Sequence, residues 1–270
     1  MLFCYLKALC RFNFLHCARF SLSLCLSYYH CMKLIIDIGN TRAKVFAFEG
    51  DRIVDSLTTS HELEGVKEFA RRTKCDRGIY SCVGHLPQNG VVLLESMGFE
   101  MLQLTGKTPV PVEIMYHTTE TLGADRIAGI VGARALKPDG ELLVIDSGTC
   151  ITYDFLDSNN HYQGGNIAPG LRLRLVAMHE HTALLPLIDG DGEAPELGYD
   201  TATALRSGVV WGMKYEIEGY IRRFRRKYPH VSVFLTGGDI KKLGISTKSS
   251  IFADDFLVPR GLNKILDYNE

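Results

Sequence analysis

Leu34-Ile35-Ile36-Asp37-Ile38-Gly39-Asn40-Thr41 is the stretch that decides how this chain folds. Its apolar run, Leu34–Ile38, has the character of a buried strand. Gly39 and Asn40 tolerate positive φ and supply turn chemistry, and 43–48 then reads as the return strand of a hairpin. The pattern recurs 109 residues later. There, 142–145 leads into Asp146-Ser147-Gly148-Thr149, and 151–155 forms a second return strand. A lone Asp-x-Gly triplet is common. Two copies, each preceded by an apolar run and followed by another strand, predict an internal repeat.

Outward from these turns the same order of elements appears twice. Strands at 53–58 and 79–83 follow the first hairpin, with helices predicted over 62–74 (Ser60 as N-cap) and 87–97. Residues 105–111 read as a loop, and 122–136 as an amphipathic helix. After the second hairpin a third strand leads into Gly164-Gly165, Pro169-Gly170 opens a helix over 171–181, and Asp200 or Thr201 caps a long helix reaching about Lys227. A strand at 231–235 then runs into Thr236-Gly237-Gly238-Asp239. The fold class expected is α/β: two halves, 32–140 and 141–270, with mixed sheets facing across a cleft.

Composition narrows the class of partner. The 270 residues carry a net charge of −1, but residues 1–31 hold Lys7, Arg11 and Arg19 and no acid, which leaves −4 for the remainder. A mildly acidic body offers no electrostatic footprint for nucleic acid. Five of the eight cysteines also fall in 1–31, and only Cys75, Cys82 and Cys150 follow. With no C-x-x-C pair, a zinc or redox motif is not expected, and three scattered cysteines fit a reduced, cytoplasmic protein. The charge-free stretch 20–32 is too short to span a bilayer. Residues 1–31 are therefore expected to be a leader or a mis-assigned start outside the fold, with Met32 the true first residue; a targeting segment is the other reading.

The turns suggest the chemistry. Successive backbone N–H groups after a strand make a concave anion site, and glycine lets phosphate approach the backbone. Thr41 and Thr149 add hydroxyls, Lys44 adds a positive charge, and Asp37 and Asp146 suit cations, directly or through water. Two such turns across a cleft would grip a nucleoside triphosphate; each alone could equally be a structural hairpin. Thr236-Gly237-Gly238-Asp239 either admits a flat ligand ring or turns the strand into a helix capped by Asp239. Asp125, in Gly123-Ala124-Asp125-Arg126 at the start of a helix, is a candidate base or merely a stabiliser of the helix N-terminus. Arg126 can hold an anion bidentately.

Taken together, these motifs resemble the type III pantothenate kinases of the acetate and sugar kinase/Hsp70/actin superfamily. The resemblance runs from Met32 almost to the end. It is carried by Asp37–Lys44, Gly123–Arg126, Asp146-Ser-Gly-Thr-Cys-Ile-Thr152, Gly164-Gly-Asn-Ile-Ala-Pro-Gly170, Thr182-Ala-Leu-Leu-Pro186, Gly198-Tyr-Asp-Thr201 and Thr236–Asp239, in the family's order. It implies two actin-like (ribonuclease H-like) halves around an ATP cleft, and ATP-dependent phosphorylation of pantothenate, the first step of coenzyme A biosynthesis. It further implies that Asp37, Ile38, Gly39, Asn40, Thr41, Arg42, Ala43, Lys44 and Thr149 bind ATP, with Asp37 near Mg²⁺ through water. Asp125 would be the catalytic base. Tyr116, Gly123, Ala124, Asp125, Arg126 and Thr201 would bind pantothenate, and Asp146 a monovalent cation, K⁺ or NH₄⁺. Family members are homodimers with the pantothenate pocket close to the subunit interface. Cys150 stands where the family commonly has Ala; both are small, so activity is expected to survive, with some thiol sensitivity.

Other readings compete on particular segments. Arg222-Arg223-Phe224-Arg225-Arg226-Lys227 suggests nucleic acid, and members of this family have been labelled transcriptional accessory factors, so a DNA-associated regulator on the same fold is the alternative. The run reads more simply as the solvated C-terminal turn of a helix, where cations complement the dipole. His179-Glu180-His181 looks like a metal pair, yet i and i+2 on a helix do not share a face. Neither nucleic acid nor a membrane is expected as a partner.

Overall fold

The computed structural model describes residues 31–84, 86–245 and 250–270. The leader expectation therefore falls on residues, 1–30, outside those described. Met32–Glu270 is one compact unit.

The first sheet is built from β1 (Met32–Ile38), β2 (Ala43–Glu49), β3 (Arg52–Thr59), β4 (Cys75–Cys82) and β5 (Met101–Gln103), in the order β3-β2-β1-β4-β5. β1–β2–β3 is an antiparallel meander; β4 joins β1, and β5 joins β4, in parallel. The second sheet uses β6 (Glu113–Ile114), β7 (Leu142–Ser147), β8 (Cys150–Leu156), β9 (His161–Pro169), β10 (Ser232–Thr236) and β11 (Ile251–Ala253). Its order, β11-β10-β7-β8-β9-β6, repeats the first sheet strand for strand. A meander is again followed by two parallel additions, with β6 added in parallel beside β9. The repeat expected from the two turns is thus a repeat of topology. Both turns occupy the same place in it, at the end of a central strand.

Helices cover both faces. α1 (Val66–Thr73) and α2 (Gln88–Glu95) pack outside the first sheet. α4 (Leu171–Glu180) and α5 (Thr201–Lys227) cover the second, where Met213 and Ile217 of α5 are fully buried. Each such side chain contributes about 1.5–3 kcal/mol. α3 (Ala124–Leu136) and α7 (Leu257–Tyr268) lie against both sheets, sharing a core with Ile35, Phe46 and Ile79 on one side and Val144 and Phe234 on the other. They cross so closely that a Cβ on Gly132 would sit 2.1 Å from the Leu257 carbonyl oxygen, and one on Gly261 1.7 Å from that of Ala128. Only glycine fits at either point. α7 also returns the end of the chain to its beginning, through the buried Lys33 Nζ, 2.6 Å from Asp267.

Boundaries differ from the sequence reading where turn chemistry intervenes. The helix expected over 62–74 begins only at Val66, because Leu63 and Gly65 both take positive φ. Ser60 does not cap it; its Oγ accepts the Glu62 N–H at 3.2 Å in a local turn. The long helix starts as expected: Asp200 accepts the Thr203 N–H at 2.7 Å, and Thr203 Oγ1 accepts the Asp200 N–H at 3.1 Å, a reciprocal capping box. A four-residue helix, α6 (Ile240–Leu243), follows β10. Among the described residues, no helix is long and apolar enough to cross a membrane.

Candidate active site

The first turn is a tight hairpin in which Gly39 N–H donates to the Arg42 carbonyl at 3.1 Å. Pairing sets the neighbours of Asp37: Lys44 lies opposite on β2 and Ser81 alongside on β4. Ser81 Oγ donates to Asp37 Oδ1 at 3.0 Å. Burial pushes the Asp37 carboxyl above its ordinary range, while the Ser81 hydrogen bond and the Lys44 charge pull it back in part. From the loop before α1, His61 Nε2 lies 2.9 Å from the Gly39 carbonyl and braces the turn.

The second turn is braced by backbone hydrogen bonds. Gly148 N–H donates to Cys150 O at 2.9 Å, Gly170 N–H to Thr149 O at 3.0 Å, and Asp239 N–H to Ser147 O at 3.1 Å. Asp146 has Thr152 opposite on β8 and Thr236 alongside on β10. Thr152 thus stands where Lys44 stands beside Asp37. Burial, then the charges of Asp125 and Asp37, push the Asp146 carboxyl up to about 7, against a weaker pull from Lys44. Gly237 takes φ +95° close by, and a Cβ there would come within 2.4 Å of Asp146 Oδ1. That closeness accounts for the first glycine of Thr236-Gly237-Gly238-Asp239.

Asp125 projects from the first turn of α3. Its Oδ1 accepts the Arg126 N–H at 2.8 Å. Burial is the main force raising its pKa, with the charges of Asp37 and Asp154 adding to it. A carboxylate raised by burial that still lines an open cleft has the profile of a proton acceptor. Arg126 is buried, and its guanidinium is already engaged: Nε and Nη2 donate to Asp154 Oδ1 at 2.9 and 2.6 Å.

These residues meet on adjoining cavities. One, of about 590 Å³, is lined by Tyr116, by Gly123–Arg126, and by Asp37, Asp146 and Thr149. A second, of about 860 Å³, shares Asp37, Gly39, Asn40, Gly148 and Thr149 and extends past Thr41, Arg42 and Lys44 to Leu171, Leu187 and Asp239. Ile38 and Ala43 lie buried beneath the turn and line neither. Thr201 is exposed at the first position of α5 and also lines neither within one chain. Among the described residues, no group of three or more His, Cys, Asp or Glu side chains could hold a metal ion by itself. His179 Nδ1 lies 2.8 Å from the Leu185 carbonyl, a local structural bond.

The sequence reading passed over Ser81, His61, Asp154 and Tyr162. Asp154 carried a signal, since it follows Cys150 and Thr152 at the two-residue period of one strand face. Ser81 and His61 meet the first turn only through tertiary pairing.

A family model described as type III pantothenate kinase matches residues 33–223. The chain is 45% identical over 240 residues to a type III pantothenate kinase of Phocaeicola vulgatus, covering 88% of this chain and 99% of that one. Among solved structures it is similar to a conserved putative Baf family transcriptional activator from Campylobacter jejuni, at TM-score 0.57 and 24% identity over 87% of this chain and 98% of that one. It is also similar to a putative N-acetylmannosamine kinase from Listeria monocytogenes, at TM-score 0.51 and 13% identity over 88% of this chain and 100% of that one. At those identities the two structures bear on the fold alone, and they agree with its two-lobed, actin-like form. Extent and identity of the sequence match decide the family: the chain belongs to the type III pantothenate kinases.

Proposed function

We propose that this chain transfers the γ-phosphoryl group of ATP to the primary hydroxyl of pantothenate, the first step of coenzyme A synthesis. The observation that carries this reading is the shared cavity: Asp125 and the Gly123–Arg126 segment open onto the same space as both phosphate-type turns. Gly39, Asn40, Thr41, Arg42, Lys44 and Thr149 hold the ATP phosphates, with backbone N–H groups and the Lys44 amine balancing their charge. Asp125 orients the pantothenate hydroxyl and accepts its proton. Tyr116 and the Gly123–Arg126 segment shape the pocket of the acceptor.

A protein-only metal cage does not exist among the described residues, and that fits Mg²⁺, which keeps several waters and takes phosphate oxygens as ligands. Asp37 would hold it through water, and bound Mg²⁺ would supply charge neutralisation at the phosphates. Asp146, desolvated among acids and without a facing amine, suits a monovalent cation, K⁺ or NH₄⁺. A homodimer is supported by two features: Thr201 lies outside the single-chain cavity, and Leu184, Leu197, Tyr199 and Tyr215 are exposed near it in sequence. Cys75, Cys82 and Cys150 as free thiols support a cytoplasmic setting. The DNA-associated alternative draws on Arg222–Lys227, but that run closes α5, where its charges complement the helix dipole.

Purified 32–270 protein should consume ATP only with pantothenate, and faster in K⁺ than in Na⁺. Asp125→Asn should lower kcat by at least about a hundredfold, the scale of a lost general base, with ATP binding retained. Near-normal kcat in that variant removes Asp125 from the role; absence of pantothenate-dependent turnover in the parent removes the function.

A further inference from the structure

We propose that Asp154 is a positioning residue of the acceptor pocket, holding Arg126 so that this one arginine fixes both the Asp125 carboxylate and the Tyr116 wall. The inference rests on the proposed roles of Asp125 and of the pantothenate pocket.

Asp154 is 1% exposed, and its Oδ1 gathers three donors: Arg126 Nε at 2.9 Å, Arg126 Nη2 at 2.6 Å and Tyr162 OH at 2.6 Å. Tyr162 is itself fully buried. Arg126 is thereby tied at three points. Its backbone N–H donates to Asp125 Oδ1 at 2.8 Å, its guanidinium is locked on Asp154, and that guanidinium lies 5.8 Å from the centroid of the Tyr116 ring. Tyr116 in turn packs against Tyr162, with ring centroids 6.4 Å apart. The set is closed: one carboxylate anchors both the arginine behind Tyr116 and the tyrosine against which Tyr116 packs.

Asp154 itself stays behind the pocket. It does not line the larger cavity, and reaches only a small void of about 10 Å³ shared with Asp125, Asp146, Thr152 and Thr236. It therefore acts through Arg126 rather than on substrate. A buried ion pair is weak evidence for stability, since apolar replacements often serve as well. Its position, one residue from the proton acceptor and one ring from the pocket wall, points to orientation. Without the Asp154 carboxylate the guanidinium becomes a loose cation, drawn to the carboxylates of Asp125 or of pantothenate itself.

The test separates the two substrates. Asp154→Asn in the 32–270 protein should raise KM for pantothenate and lower kcat, each by about tenfold or more, since misplacement by about 1 Å can cost about a hundredfold. KM for ATP should move less, by no more than about twofold, because Asp154 lines neither of the two cavities onto which the phosphate turns open. Tyr162→Phe removes one of the three donors to Oδ1 and keeps the ring; a hydrogen bond from the Thr152 side chain to the same carboxylate is untouched. It should move KM for pantothenate the same way by about two- to fivefold, in keeping with the modest net worth of one hydrogen bond. Should Asp154→Asn fail to fold, Tyr162→Phe alone decides. The inference is overturned if pantothenate KM is unchanged in the folded variants, if both KM values move together, or if kcat falls only with the fraction of folded protein. Parent enzyme without pantothenate-dependent turnover overturns the function and this inference with it; active parent with indifferent variants overturns the inference alone.

Discussion

The two turns that organise this molecule occupy the same place in a repeated topology and yet differ in charge. At the end of β1, Asp37 faces Lys44 across the hairpin and accepts from Ser81 on the parallel neighbour. At the end of β7, those two places are taken by Thr152 and Thr236. The backbone solution was kept and the side-chain balance was not. The first turn brings its own cation and hydroxyl donor. The second leaves Asp146 among Asp125, Asp37 and Asp154, with a weaker pull from Lys44 in opposition. Like charges crowded in a desolvated cleft either take up protons or take up a cation. On the proposed function, this difference would divide the work: the first turn would complete a phosphate grip, and the second would suit a cation.

The largest expected effect tests that division directly. Asp37→Asn should lower kcat/KM for Mg·ATP by roughly a hundredfold, on the scale of losing one charged electrostatic element of a phosphate site, while the ratio of rates in K⁺ and Na⁺ stays as in the parent. Asp146→Asn should do the reverse, bringing the K⁺/Na⁺ ratio close to one with a smaller loss in Mg·ATP use. Steady-state kinetics in the two salts read both. Equal loss of K⁺ dependence in the two variants would break the comparison.

A second substitution tries to convert one turn into the other. Thr152→Lys sets an amine opposite Asp146, as Lys44 stands opposite Asp37. The expected outcome is residual activity that no longer distinguishes K⁺ from Na⁺, a change of a few-fold in the ratio whatever happens to the absolute rate. Persistent K⁺ dependence would mean that the cation does not answer to the Asp146 charge.

How much of this was legible beforehand follows from what each feature depends on. The hairpins, the repeated order of elements and the capped helix after Asp200 are written in apolar runs and turn residues, and they read correctly; the order of strands within each sheet is not local and came only with the structure. Asp125 and Asp37 stood out because each sits inside a short motif with its own chemistry, and the fold brings both to one cavity. The helix before Val66 was overextended because positive φ at Leu63 carries no mark in sequence; leucine is a poor candidate for that conformation. The unequal charge of the turns was half legible. Lys44 is seven residues from Asp37 and was noticed, whereas the partnership with Ser81 exists only once β4 pairs with β1. Arg126 read as a free anion holder because its partner, Asp154, is reached across two elements.

A last effect is thermodynamic and concerns the ligand-free protein. Asp146 titrates near 7 in the fold, against an ordinary value of 3.8. A raised folded pKa means that the folded state holds a proton that the unfolded chain has released. Its stabilising contribution is therefore complete below about pH 4 and is lost as pH rises through about 7. The same window sees the carboxylate become the unbalanced charge that a cation would satisfy. Melting of the 32–270 protein in Na⁺ buffer should accordingly fall between pH 5 and pH 8 by roughly 5–10 °C more than in Asp146→Asn, since the two pH units below a folded pKa of about 7 carry about 2.7 kcal/mol and about 1 kcal/mol moves melting in a domain of this size by roughly 2–4 °C. K⁺ should recover part of that loss at pH 8 and none at pH 5, where the proton already occupies the carboxylate. Asp37 has a hydroxyl donor and an amine of its own, so Asp37→Asn should leave the K⁺ recovery at pH 8 in place. If Asp37→Asn rather than Asp146→Asn abolishes it, the second turn is not where the ion binds, and the two turns are more alike than their neighbours imply.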